Sequence, residues 1–448
     1  MILDEQLVRQ RIMPLMSVVI FFAVLNGVTF NIAIPDIAAE FSVSPSTVSW
    51  VITAYVVIFA FGSVVYARLV DQFSLRSIIT FGLIVFCAGS LLGFFASSFP
   101  LLILARIIQA VGASGIPALG MLLATLYFPS HLRGVMLGVI ASTVAFASGV
   151  GPVLGGFVAG QFHWHFLFLI PLVLLPVIPL LYVSLPLDES HVRKPFDFMG
   201  ALLLGAFVGA LLVALTQASW PTLLLAAPLL AAAVWHMRRV EYPFIAPQLF
   251  TIARYRGGVI AALLVMATVF GMLFAVPIMV RQVYDLSTMA IGVFMFPAAM
   301  SAAVAGWLSG RAAGRIGSNR VVRVGYLFLI VGYLCLGASA GLGVVLSALC
   351  LIAGHCGFSI VHSSLAGSIS GVLPRELTAV GMGFFNLIFF ISGAFGTAAT
   401  GIMLDILHPE RASAYMITFG GFFLLALLSL VLFARTFPFS EGATAKSS

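Results

Sequence analysis

The sequence predicts an all-α integral membrane protein of fourteen transmembrane helices, two sets of six flanking a central pair. Three observations carry this reading. Of 448 residues, 62% are hydrophobic and only 8% are charged, too few polar groups to solvate the surface of a globular protein. Cut at its charges, the chain leaves uncharged runs that divide into lengths of about 20 residues, enough for a ~30 Å hydrocarbon core. Finally, the positive charges sort by side under that count.

The first six spans centre on residues 13–35, 46–67, 77–97, 100–123, 135–160 and 166–187. Asp4 and Glu5 precede the first apolar run and no clear cleavage signal follows, so it reads as a retained span. Two more spans fit between Met199 and Met237, turning near Ser219–Pro221, and the last six lie near 257–280, 287–310, 321–340, 343–366, 378–403 and 413–434. With the N-terminus inside, eighteen of the 21 Lys and Arg, from Arg9 through Arg193 and Lys194 to Lys446, fall in inner segments. Only Arg281 and Arg411 fall outside, and Arg106 lies within a span. Deleting either central span inverts every later loop and destroys the asymmetry. The net charge of +7 is therefore a topology signal and not a nucleic-acid footprint. Cys87, Cys335, Cys350 and Cys356 all lie in apolar stretches, where buried free thiols are expected.

The chain also repeats itself weakly at an offset of about 244 residues, as internally duplicated transporters do. ARLVDQFSLR (67–76) aligns with GRAAGRIGSNR (310–320), and PSHLRGVMLG (129–138) with PRELTAVGMG (374–383). The expected organisation is a six-helix half over 1–187, two linker helices with cytoplasmic loops over 188–256, a second six-helix half over 257–437 and a cytoplasmic tail over 438–448. Such a repeat puts the substrate path between the halves near the bilayer midplane.

At NIAIPDIAAEF (31–41), SWVITAYVV (49–57), LARIIQAVGASGIPAL (104–119), SGVGPVLGG (148–156) and HWHFLFLIP (163–171), the chain resembles the major facilitator superfamily. Within it the chain looks most like the fourteen-span drug–proton antiporters, and among those the Gram-positive-type tetracycline exporters. The resemblance implies the major facilitator fold, efflux across a bacterial inner membrane with both termini cytoplasmic, and proton antiport. It implies no cofactor besides the proton gradient, and as partners a small-molecule substrate and the lipid bilayer. Nothing demands more than a monomer. No P-loop, metal-ligand cluster or nucleophile constellation appears, so neither an enzyme nor an ATPase is expected.

GVGPVLGG, Gly149 to Gly156, packs four glycines and a proline into a run free of Asp, Glu, Lys and Arg from Gly134 to Leu187. In lipid, small residues let helices approach closely. Gly151, Gly155 and Gly156 suit such a seam, and Pro152 bends the helix. Two readings stand: a plain packing seam, or the pliable contact between halves that the resemblance implies for export. The loop from Ala67 to Arg76 resembles the superfamily's inner-gate signature, with Ala67, Gln72 and Ser74 departing from it. Asp71 and Arg76, with Gly310, Arg315 and Gly317 in the second half, are its gating candidates, an ordinary solvated loop acid being the alternative for Asp71.

Arg106 is the one charge inside a span, where a guanidinium costs ~3 kcal/mol or more. It matches the arginine that the resemblance implicates in proton coupling, with Gln109 on the same face; alternatively it snorkels to the outer end. The acids that related exporters carry within spans are missing: Asn26–Gly27 and ISGAF (391–395) stand in their places. Asp36, just after Pro35, is the nearest carboxylate to Arg106, as a coupling acid or a helix-end residue. His355 and His362 share a face and could carry a proton. Asn26, Asn31 and Asn386 are pocket amides if they face the centre and helix-to-helix bonds otherwise. The expected activity is secondary efflux of a drug-like amphiphile. Export of an endogenous anionic metabolite such as a siderophore or metallophore, and uncoupled facilitation or reception, are the alternatives.

Overall fold

In hydrocarbon every backbone N–H and C=O must be satisfied within the protein, and uncharged runs of this length do so as helices. A computed structural model describes residues 5–69, 73–127, 130–185, 197–216, 220–241, 243–245 and 247–438. Its main helices are α1 (Met13–Glu40), α2 (Trp50–Leu69), α3 (Leu75–Phe94), α4 (Phe99–Ala113), α5 (Ile116–Tyr127), α6 (Ser130–Gln161) and α7 (Val177–Ser184). There follow α8 (Phe198–Thr216), α9 (Trp220–Met237), α10 (Ala253–Gln282), α11 (Thr288–Ile316), α12 (Ser318–Ser339), α13 (Val344–Ser370), α14 (Arg375–Leu407) and α15 (Ala412–Thr436). Twelve helical stretches among the described residues are long and apolar enough to cross a membrane. Outside that count stand the 32-residue α6 and the shorter apolar stretch Phe198–Ala214 of α8.

Three of the anticipated spans are not single α-helices. The second is interrupted at Ser49, between a short helix, Pro45–Val48, and α2. The fourth breaks into α4 and α5 at Ser114–Gly115, where the ring of Tyr66 packs so tightly that a Cβ on Gly115 would lie 2.4 Å from it. The sixth starts as a tighter 3₁₀ helix, Trp164–Leu174, and resumes as α7 after Pro176. Pro171 and Pro176 each remove a backbone donor, which disfavours a continuous α-helical ladder here.

Contacts divide the chain into two units. The first comprises Met1–Val43, Trp50–Phe196 and Thr288–Gly292; the second comprises Ser44–Ser49, Asp197–Ser287 and Val293–Ser448. In both, the decisive crossing is made by glycine. A Cβ on Gly112 of α4 would lie 2.2 Å from the Phe86 nitrogen and 2.5 Å from the Gly82 oxygen of α3. In the second unit a Cβ on Gly357 of α13 would lie 2.5 Å from the Leu329 nitrogen and 2.9 Å from the Gly325 oxygen of α12. At the offset of about 244 residues read from the sequence these helices correspond, and both pairs make a close backbone approach, the geometry small residues permit in lipid. Large apolar side chains such as Phe81, Ile84 and Leu91 of α3 stay exposed, as a lipid-facing surface requires.

The base of the α8–α9 pair is knotted by Asp197, which is nearly buried. Its Oδ1 accepts from the Gly200 amide at 2.7 Å, capping α8, and lies 2.6 Å from His236 Nε2 of α9; its Oδ2 accepts from the Phe244 amide at 2.9 Å. Burial alone would raise this carboxyl's pKa, but the two amides and His236 outweigh it and hold the value below the ordinary carboxylate range. Its stabilisation is therefore present above the ordinary pKa of about 4 and is lost as pH falls through the lower folded value.

The tight crossing predicts that Gly112→Ala destabilises the protein by ~1–3 kcal/mol. Gly420→Ala on α15, where a new Cβ meets nothing within 4 Å, leaves thermal unfolding in detergent unchanged. Asp197→Ala is expected to cost about 1–2 kcal/mol at neutral pH through the lost cap and the unpaired Phe244 amide. Its unfolding temperature then falls less than wild type's between pH 5 and pH 3.

Candidate functional site

Arg106 lies on α4, which starts at Phe99 with Pro100 in its first turn and turns Leu104 outward. The Arg106 side chain is 1% exposed. Its Nε donates to the Val51 carbonyl of α2 at 3.1 Å and its Nη1 to Gln109 Oε1 at 3.0 Å. The guanidinium carbon sits 4.2 Å from the ring centre of Phe30 on α1 and 4.1 Å from that of Tyr55 on α2. Desolvated contacts of this kind are worth up to ~2 kcal/mol each. Among the described residues no carboxylate pairs with Arg106.

Gln109, one turn along the same face, passes the charge on. Its Nε2 donates to Ser90 Oγ at 2.8 Å and reaches Asn26 Oδ1 at 3.4 Å, and Ser90 donates to the Phe86 carbonyl at 2.8 Å. The guanidinium is thus solvated by a polarised chain of neutral groups ending in the α3 backbone. The hydroxyls of Thr29 and Thr53 are buried in the same unit with no hydrogen-bond partner among the described residues. Phe30 is held from behind by Phe168, whose ring centre lies 4.7 Å away and whose own place depends on Gly93, where a Cβ would come within 2.2 Å of it. The HWHFLFLIP segment therefore buttresses the cation's aromatic face.

Arg106, Gln109 and Asn26 are brought together, and Asp36 is not part of their cluster. Asp36 accepts a hydrogen bond from the Thr288 hydroxyl. It sits six residues beyond Phe30 on the same helix, ~9 Å along its axis. Asn31 is half-buried on α1. His355 and His362 lie on α13 in the second unit, ~10 Å apart along the helix axis. His355 is buried, and the His362 ring packs on Phe389 at 4.5 Å. Asn386 on α14 is exposed.

The glycine stretch forms part of the continuous helix α6 with Pro152 inside it. A Cβ on Gly151 would lie 2.3 Å from Val28, one on Gly155 2.8 Å from the Thr29 carbonyl oxygen, and one on Gly156 2.9 Å from both the Gly292 Cα and the Thr288 carbonyl oxygen. Of Gly149, only its helical backbone is described. The gating candidate Asp71 and its neighbour Gln72 lie outside the described residues, as do Arg193, Lys194, Ser219 and the tail from residue 439. Arg76 stacks on Tyr182 at 3.5 Å. Arg315 and Gly310 are exposed, and Gly317, at φ +89°, makes the turn from α11 to α12.

Phe30, Tyr55, Ser90, Val51 and Thr288 were not singled out from the sequence. Tyr55 stands within SWVITAYVV, and a cation without an acid does call for aromatic faces. Nothing in the sequence marked which of forty phenylalanines would supply one.

A bundle of long apolar helices with a cation buried among neutral groups defines a polytopic membrane protein of the solute-transporter class. The profile of the Major Facilitator Superfamily matches residues 16–397, and the chain belongs to that superfamily of secondary transporters. It is 27% identical over 414 residues to the riboflavin transporter RibZ of Clostridioides difficile (strain 630), covering 89% of this chain and 90% of that one. It is 24% identical over 416 residues to the lincomycin resistance protein LmrB of Listeria monocytogenes serovar 1/2a, covering 90% and 87%. In fold it is similar to the inward-facing, unoccupied structure of a bacterial homolog of the human lysosomal transporter Spinster, with a TM-score of 0.69 at 14% identity over 97% of this chain and 98% of that one.

The aromatic pairing predicts a coupling energy. Tyr55→Leu destabilises the wild-type protein by about 1 kcal/mol more than it destabilises an Arg106→Gln background, as read from unfolding of the four proteins in detergent. Equal losses in both backgrounds would mean that Tyr55 packs without holding the cation.

Proposed function

We propose that the chain is a proton-coupled exporter of a small amphiphilic compound, neutral or anionic, working by alternating access. The observation that carries this is Arg106, a buried cation held by two rings, an amide and a carbonyl with no carboxylate against it among the described residues. An organic cation would want a carboxylate at such a site, whereas an anion gains from the uncompensated positive field. The relatives' names, a riboflavin transporter and a lincomycin resistance protein, support cargo of drug-like size. Tetracycline is not carried over from the likeness to its exporters.

Fourteen spans are part of this reading, with α6 and α8 added to the twelve stretches counted above. The arrangement is six, two and six over 1–187, 188–256 and 257–437, with both termini cytoplasmic in a bacterial inner membrane and the chain acting as a monomer. The positive-inside asymmetry supports it. Asp36 is the group that loads and unloads the proton. A protonated carboxyl is a poorer acceptor for Thr288, whose carbonyl lies against Gly156, so protonation acts beside the glycine contact that must re-pack. The path candidates in this reading are Asn26 and Asn31 in the first unit and His355, His362 and Asn386 in the second; the gate candidates among the described residues are Arg76, Gly310, Arg315 and Gly317. A second reading, export of an endogenous anionic siderophore or metallophore, is favoured by the same unpaired cation.

The test uses inside-out vesicles with an acid interior and a pH-quenched dye, offered tetracycline–metal complex, a lipophilic cation and an iron-free siderophore in turn. Proton release is expected with an anionic compound and not with the lipophilic cation, and falls at least tenfold in Arg106→Ala. Substrate movement that survives an uncoupler would make the chain a facilitator. Silence with all three, in folded and inserted protein, would overturn coupled export.

A further inference from the structure

Glu40 closes α1, the turn at Ala96 joins α3 to α4, and His163 and His165 open the 3₁₀ helix. Folding of the first unit brings these distant segments together on the side the charge pattern assigns to the outside. His165 Nε2 lies 2.9 Å from the Ala96 carbonyl oxygen. A carbonyl only accepts, so this nitrogen carries the ring proton and Nδ1 presents a lone pair. That Nδ1 is 2.7 Å from His163 Nδ1, and His163 Nε2 is 3.3 Å from Glu40 Oε2. His163 Nδ1 also accepts from the His165 amide at 3.5 Å, so the two Nδ1 atoms turn lone pairs toward each other.

We infer that Glu40, His163 and His165 form a surface site for a zinc-class divalent metal ion. One ligand atom from each lies within 4.8 Å of the others; donors bonded at about 2.0–2.2 Å to a tetrahedral ion stand about 3.4 Å apart, so the two Nδ1 atoms part slightly and the carboxylate moves in. The supports around the ligands are those such sites use. Ala96 fixes the His165 tautomer, and the Trp164 indole N–H donates to the Glu40 carboxylate. The Trp164 ring, almost wholly buried, stacks on His165 with centroids 3.6 Å apart. His163 and Glu40 are open to solvent on their other side, beside a shallow cleft bounded by Phe95 and Phe166, which leaves a coordination position for water or a small ligand. Two imidazoles and one carboxylate select zinc or its borderline neighbours over calcium and magnesium. The bound ion ties the end of α1 to the start of the 3₁₀ helix.

The test titrates Zn²⁺ into the full chain, purified in detergent and stripped of metal, by calorimetry at neutral pH with Trp fluorescence in parallel. One ion per chain is expected, with a change in Trp emission, and Mg²⁺ gives neither. His165→Ala and Glu40→Gln each weaken binding at least tenfold, while His408→Ala, in an exposed loop elsewhere, does not. His163→Gln, which retains a polar side chain at the helix start, serves as a second variant, and all are checked for monodisperse elution. Absence of binding in wild type, or binding that survives His165→Ala and His163→Gln, overturns the assignment.

Discussion

A guanidinium that leaves water must find its hydration replaced, and in the first unit nearly everything near Arg106 is arranged around that need. A carboxylate would be the simple solution, but it would also neutralise the site. Here two aromatic faces, a backbone carbonyl and the amide of Gln109 share the task, and the positive charge survives burial. The requirement spreads outward. Gln109 must in turn donate to Ser90 and toward Asn26, and Phe30 must be braced by Phe168 over the gap left by Gly93.

The second dependence is on missing side chains. Gly155 and Gly156 let α6 approach the backbones at Thr29 and Thr288–Gly292 within contact that no Cβ would tolerate, and the Thr288 that accepts this closeness also donates to Asp36. A titratable group and a helix seam thereby share one residue. Proton binding can bias packing only where such a shared element exists.

What was legible in the sequence followed from short-range rules. Charge spacing marks the apolar runs, and Arg106 and Gln109 meet because residues three apart share a helix face. The breaks in the fourth and sixth spans were not legible as such: Tyr66 packs on Gly115 from another helix, and the prolines at 171 and 176 are tolerated in many membrane helices. Asp36 looked like a partner for Arg106 because both fall near the outer end of a span; the sequence did not show that Thr288, far away along the chain, would donate to the acid. For the same reason Glu40 and the HWH triplet, more than a hundred residues apart, gave no ligand spacing to recognise.

The paired crossings at Gly82–Gly112 and Gly325–Gly357 have a consequence for the ancestry of the chain. Read as a duplication, the weak repeat leaves two copies free to diverge wherever a side chain can be exchanged. Where one backbone rests on another, exchange is blocked by sterics whatever the cargo or the environment. On that reading the kinship of two copies is recorded less in matching residues than in the places where both lack one, and a search for buried history in such proteins should compare voids at the Cβ.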